Sequence, residues 1–161
     1  MKSITRKEME DLLKTANIRQ RFRRDLRFVP EEIDSWEDRD FLTVTDRNNS
    51  KGVLIAPFEQ LFIVPFELRQ RRAGQAGRLE AIVCDFCATW QRGSNSAMIT
   101  FEREKSSVSF LCCADLLCSF HVRNKTTAAK LSRTQLKEVI SSDRRIERLH
   151  TKLQQLLSDL S

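Results

Sequence analysis

The sequence predicts an α+β fold, with short helices at its N-terminal end, a small antiparallel sheet in its middle and an amphipathic helix at its C-terminal end. Three observations predict it. Apolar residues recur at helical steps from Ile4 to Leu26 and again from Ser132 onward. Short β-prone runs separated by turn clusters fill the stretch from Phe41 to Leu111. All five cysteines fall between Cys84 and Cys118, where pairs of thiols close in sequence can converge on one metal ion.

The chain has 161 residues, 40% of them hydrophobic and 31% charged. That suffices for one domain, or for a compact domain plus a small appended unit. The expected division is an N-terminal helical segment over residues 1–35 and a β-rich, metal-binding domain with C-terminal helices over residues 36–161. No apolar run reaches the length of a membrane span, so no membrane is expected among the partners. The opening MKSITRKEMEDLL lacks the apolar core of a secretory signal. A cytoplasmic location follows as an expectation, and there clustered cysteines bind metal more often than they form disulfides. Five thiols fit four ligands and one spare. The formal net charge of +6 suits an acidic partner surface or nucleic acid, although dispersed basic side chains often do no more than solvate helix faces.

At the N-terminal end, Thr5 and Glu8 form a capping box, with Ile4 placed to staple onto Met9. Met9, Leu12, Leu13 and Ala16 then give one apolar stripe. Asn17 interrupts it. A second short helix is expected from Ile18 to Leu26, with Arg19, Arg21, Arg23, Arg24 and Arg27 on its other faces. Pro30 ends that pattern. Trp36, set among acidic residues, is expected as a lid on the core rather than an interface anchor. Phe41–Thr45, Val53–Ala56 and Leu61–Val64 read as strands, with a turn at residues 46–52. Pro65 reads as a strand edge or bulge, past which the strand continues to Arg69. The basic, glycine-bearing stretch 69–77 lacks the spacing of a phosphate loop. Leu79–Val83 reads as a strand leading into Cys84.

The cysteine region reads CDFC, then two strands at Met98–Phe101 and Val108–Leu111, then LCCADLLCSFHVR. Knuckle, hairpin and a helix whose first turn carries a cysteine make the layout of a treble-clef zinc finger. The start of a helix also favours thiolates. Cys112 and Cys113 are adjacent, so on extended backbone only one faces the ion. Cys113 is the choice, because Cys112 then shares the apolar face with Phe110. The expected ligands of a structural Zn2+ are Cys84, Cys87, Cys113 and Cys118. His121, one turn beyond Cys118, is the substitute ligand and is expected either at the surface or behind the sulfurs.

With CDFC and C-A-D-L-L-C in view, the chain from about Trp36 onward resembles the C-terminal treble-clef domain of the elongation-factor-G-binding proteins, the group that includes the fusidic-acid-resistance proteins. DFLTVTD and VPFELR are similar to the strands that precede the finger in that family. The resemblance implies the same four cysteine ligands and matches Arg123 to the family's closing arginine. It also implies binding of elongation factor G and its release from a stalled ribosome. The resistance proteins carry a longer N-terminal helical domain than the forty or so residues found here.

After a polar link at residues 125–130, Leu136, Val139 and Ile140 form an apolar cluster. Ile146, Leu149, Leu153, Leu156 and Leu160 then follow at alternating three- and four-residue steps. This helix is expected to pack on the protein's own sheet rather than to form a dimer seam, and the protein to be a monomer. Three function classes compete. The first is a non-catalytic adaptor for elongation factor G, with Arg123, Arg144, Arg145 and Arg148 as contacts. The second is an RNA-binding zinc finger, with ribosomal RNA among its candidate partners, which would require steep salt dependence and exposed stacking aromatics; the chain has no tyrosine. The third is an enzyme, which would require an open metal position and a placed base. The adaptor is the reading the sequence favours, and no catalytic residue is assigned.

Overall fold

The computed structural model describes residues 1–59, 61–71, 80–103, 105–127 and 139–160. It divides into two compact units, Met1–Leu68 and Arg69–Ser161. The expected leucine at position 136, the start of the strand at Leu79 and most of the basic 69–77 stretch lie outside the described residues.

In the first unit, α1 (Arg6–Thr15) begins with the capping box that Thr5 and Glu8 predict: Glu8 N–H donates to Thr5 Oγ1, and Thr5 N–H donates to Glu8 Oε2 at 2.7 Å. Helix α2 is shorter than expected, Gln20–Asp25. Asn17 takes a left-handed φ of 54° just before it, and Leu26 leaves the helix to bridge Asp46. The antiparallel meander β1 (Leu42–Thr45), β2 (Lys51–Pro57) and β3 (Leu61–Gln70) follows. Pro65 is no bulge: the register pairs Val53 with Pro65 and continues unbroken on both sides. Ile4, Met9, Leu13 and Ile18 share one buried cluster with Leu42, Val44, Val53 and Ile55, and Trp36 packs against it half-buried. The N-terminal helices therefore fold onto the first strands, and this unit extends past the expected limit at residue 35. Just beyond α2, Arg27 of the expected basic patch pairs with Glu32 at 3.1 Å.

The second unit holds everything that shapes the cysteine cluster. A two-residue ladder joins β4 (Ile82–Val83) to β5 (Trp90–Gln91) and closes the knuckle between them. A long hairpin follows, β6 (Ser96–Glu102) with β7 (Ser107–Cys113), its register running from Ser96 opposite Cys113 to Glu102 opposite Ser107. Ile99 and Phe101 are fully buried on one of its faces. Helix α3 is one short piece, Cys118–Val122, and α4 runs over Ser142–Leu160. The buried face of α4 is Arg145, Leu149, Leu153, Leu156 and Leu157, rotated from the expected seam so that Ile146 and Leu160 lie at its margin. It packs on α3 within the same unit rather than only on the sheet. Val139 and Ile140 are exposed and form no buried cluster among the described residues. No helix among those residues is long and apolar enough to cross a membrane.

Candidate metal centre

The knuckle forms because Cys84-Asp85-Phe86-Cys87 is bonded to itself and to the hairpin. Ala88 N–H donates to the Cys84 carbonyl at 2.8 Å, and Cys84 N–H donates to the Thr89 carbonyl at 3.1 Å. Ala88 closes the turn with a left-handed φ of 52°. Asp85 then pins the turn onto β7. Its N–H donates to the Leu111 carbonyl at 2.8 Å, and its Oδ2 accepts from Leu111 N–H at 2.6 Å. The Phe86 and Phe110 rings pack tilted at 54° to one another, centroids 5.6 Å apart. The two residues between the cysteines thus set the height and angle at which the sulfurs face the hairpin. Removing the carboxylate in Asp85→Ala leaves Leu111 N–H without its protein acceptor. A loss of about 1–2 kcal/mol is expected, read as a lower urea midpoint with unchanged metal content.

The other pair is positioned by the C-A-D-L-L-C turn. Cys113 ends β7, and the chain turns through Leu116 at φ 54°. Asp115 Oδ1 accepts from Leu117 N–H at 3.0 Å, the local side-chain turn for which aspartate is favoured. This delivers Cys118 as the first residue of α3.

All four of Cys84, Cys87, Cys113 and Cys118 are buried, and their Sγ atoms lie within 4.8 Å of one another. Cys84 to Cys118 is 3.7 Å, Cys87 to Cys113 is 3.6 Å and Cys113 to Cys118 is 3.8 Å. A disulfide would need roughly 2.05 Å. Four sulfurs at about 2.3 Å from a tetrahedral ion lie roughly 3.8 Å apart along each edge, so the donor set fits such an ion in number, chemistry and spacing. The electrostatics agree. Hydrogen bonds from Cys113, Cys118 and then Cys87 hold the Cys84 thiol well below its ordinary value. Hydrogen bonds with Cys113 and Cys84 push Cys118 well above its own. Thiolate charge is favoured at Cys84 and disfavoured at Cys113 and Cys118, and a divalent cation offsets the repulsion between ionised sulfurs.

Cys112 is also fully buried, but its sulfur is not one of the four. Burial first, and the nearby Cys84 and Asp85 charges second, push its thiol up, so it behaves as a neutral core residue. His121 is not at the surface. It is buried, with Nδ1 3.0 Å from Gln91 Nε2 and Nε2 3.2 Å from Asp115 Oδ1. The arginines expected at a partner surface divide. Arg144 is exposed, and Arg123 and Arg148 are half-buried. Arg123 donates to the Ser119 carbonyl at 2.9 Å, and Arg148 reaches the Cys87 carbonyl at 3.5 Å. Arg145 is 6% exposed and lies on the packed side of α4. Sequence reasoning missed Thr89, Gln91 and Asn95, all buried, of which Thr89 lies 2.9 Å from Cys87 Sγ. Their one signal was polar identity in a stretch that the ladder and hairpin enclose. A cavity of ≈ 450 Å³ opens beside the knuckle, lined by Val83, Cys84, Phe86, Phe110, Lys152 and Leu156 among others.

A family model described as "FBP C-terminal treble-clef zinc-finger" matches residues 16–160. No curated protein and no solved structure matches the chain.

Proposed function

The chain belongs to the FBP C-terminal treble-clef zinc-finger family, and from that premise we propose that it is a zinc-held binding protein that acts on elongation factor G without catalysing a reaction. Cys84, Cys87, Cys113 and Cys118 hold Zn2+, and the ion fixes the knuckle, the hairpin and α3 as one rigid surface. The observation that carries this reading is the convergence of four buried sulfurs inside a stretch matched by the family. Four thiolates fill a tetrahedral ion, which leaves no open position for a substrate. Five free cysteines suit a reducing cytoplasm. The resemblance of CDFC and C-A-D-L-L-C to the elongation-factor-G-binding proteins supplies the partner, and with it a role in releasing the factor from the ribosome under fusidic acid. Such release requires tighter binding to one state of the factor than to the other.

The test is capture of purified elongation factor G by the full chain, with and without a chelator. Binding at micromolar concentration that the chelator abolishes supports the proposal. Arg144 and Lys152 are both exposed on α4, so the double reversal Arg144→Glu with Lys152→Glu is expected to slow association, with a deficit that shrinks at high salt, while the metal content stays at one. No capture of the factor, together with a salt-sensitive shift of ribosomal RNA, would replace this reading with RNA binding.

A further inference from the structure

Beside the four sulfurs lies a closed ring of buried polar side chains that the holding of a metal does not by itself require. Asn95 Nδ2 donates to Asp115 Oδ2 at 3.2 Å and to Gln91 Oε1 at 2.9 Å. Gln91 Nε2 donates to Thr89 Oγ1 at 2.7 Å and lies 3.0 Å from His121 Nδ1. His121 Nε2 returns to Asp115 Oδ1 at 3.2 Å. One branch leaves the ring: Thr89 Oγ1 lies 2.9 Å from Cys87 Sγ. Gln91 is fully buried, and Thr89 and His121 are each 3% exposed.

The direction of every bond follows from Asp115. An ionised carboxylate only accepts, so Asn95 must turn its amide nitrogen towards it. That same nitrogen faces Gln91, which must answer with its oxygen. The Gln91 nitrogen is thereby aimed at Thr89 and at His121 Nδ1. His121 accepts at Nδ1 and carries its proton on Nε2, which donates back to Asp115. Thr89 oxygen accepts from Gln91, and its single hydrogen is left for Cys87.

We infer that Thr89 is a positioning residue whose hydroxyl donates to the Cys87 thiolate, and that Asp115, acting through Asn95 and Gln91, fixes the direction of that bond. The inference rests on the metal reading above. Four thiolates leave excess negative charge around a divalent ion, and a donor aimed at one of them offsets part of it. The hydrogen bond also lowers the energy of the sulfur lone pair, so Cys87 is less open to electrophiles than it would be without the Thr89 hydroxyl.

The experiment uses the full chain with cobalt(II) and zinc(II), comparing wild type with Thr89→Val, Thr89→Ser and Gln91→Glu. In Thr89→Val the sulfur-to-cobalt charge-transfer band is expected at lower energy, and zinc to bind about 10–100-fold more weakly. Thr89→Ser, which keeps the hydroxyl, should restore both. Gln91→Glu places an acceptor where a donor stood and draws the Thr89 hydrogen away, so it should reproduce the band shift. Loss of packing alone would lower the melting temperature without moving the band. A wild-type band and affinity in Thr89→Val, or no restoration in Thr89→Ser, overturns the inference even if Gln91→Glu fails to fold. A wild-type chain that takes up neither metal would overturn the metal reading itself, and the inference with it.

Discussion

Cys84→Ser or Cys118→Ser is expected to abolish metal binding and cooperative folding of the Arg69–Ser161 unit together. Each sulfur belongs to the buried four, and each borders a different element: Cys84 follows β4 and Cys118 opens α3. Structural zinc contributes on the order of 10–16 kcal/mol in small finger peptides, as much as the whole stability of a typical domain, about 5–15 kcal/mol. A serine oxygen in the same place is a poor zinc donor and a buried hydroxyl without a certain partner, which adds about 1–3 kcal/mol of cost. Metal content by atomic absorption and the sharpness of the thermal transition check the outcome. Chelation of the wild type should have the same result. A Cys84→Ser protein that unfolds cooperatively without metal would remove the structural role of the ion.

The second large effect separates two adjacent residues. Cys113→Ala should empty the site, with the loss just described. Cys112→Ala should retain one zinc and lose about 1–2 kcal/mol, the usual cost of a small cavity. The two side chains leave β7 on opposite faces. In the hairpin register Cys113 sits opposite Ser96, and Cys112 opposite Ala97. Zinc stoichiometry and the urea midpoint, measured on both variants, decide the matter. A metal-free Cys112→Ala beside a zinc-loaded Cys113→Ala would mean that the chain leaves the hairpin one residue out of the register found here.

How much of this was legible in the sequence depends on the range of the signal. The capping box at Thr5 and Glu8 was legible because it is complete within four residues. The choice of Cys113 over Cys112 needed only strand alternation, which is equally local. Pro65 was misjudged, because whether a missing N–H disturbs a ladder depends on the neighbouring strand and not on proline itself. The buried face of α4 was displaced from its heptad reading, since Arg145 and Leu157 are drawn in by packing on α3. His121 was placed only as either exposed or behind the sulfurs, because its two partners come from Gln91, thirty positions away, and from the Asp115 turn. Nothing near Thr89 or Asn95 in the sequence announces a shared network.

The register of the β6–β7 hairpin bears on the order in which the second unit folds. Cys87 and Cys113 are 26 positions apart, and closing a loop of that length in a disordered chain costs about 3.5 kcal/mol in chain entropy. Once the hairpin has zipped, Cys113 is held opposite Ser96, only nine positions after Cys87. The open loop is then about a third as long, and closure becomes easier by about 1 kcal/mol, roughly fivefold in probability. Hairpin formation takes on the order of microseconds, so it precedes capture of an ion at any cellular free-zinc concentration. The ion therefore meets a chain in which one sulfur of each pair already stands near its final place, and mutations at Arg103 and Ser106, whose backbones are hydrogen-bonded at 2.8 Å beyond the end of the ladder, should slow metal uptake while leaving the rate of metal loss almost unchanged.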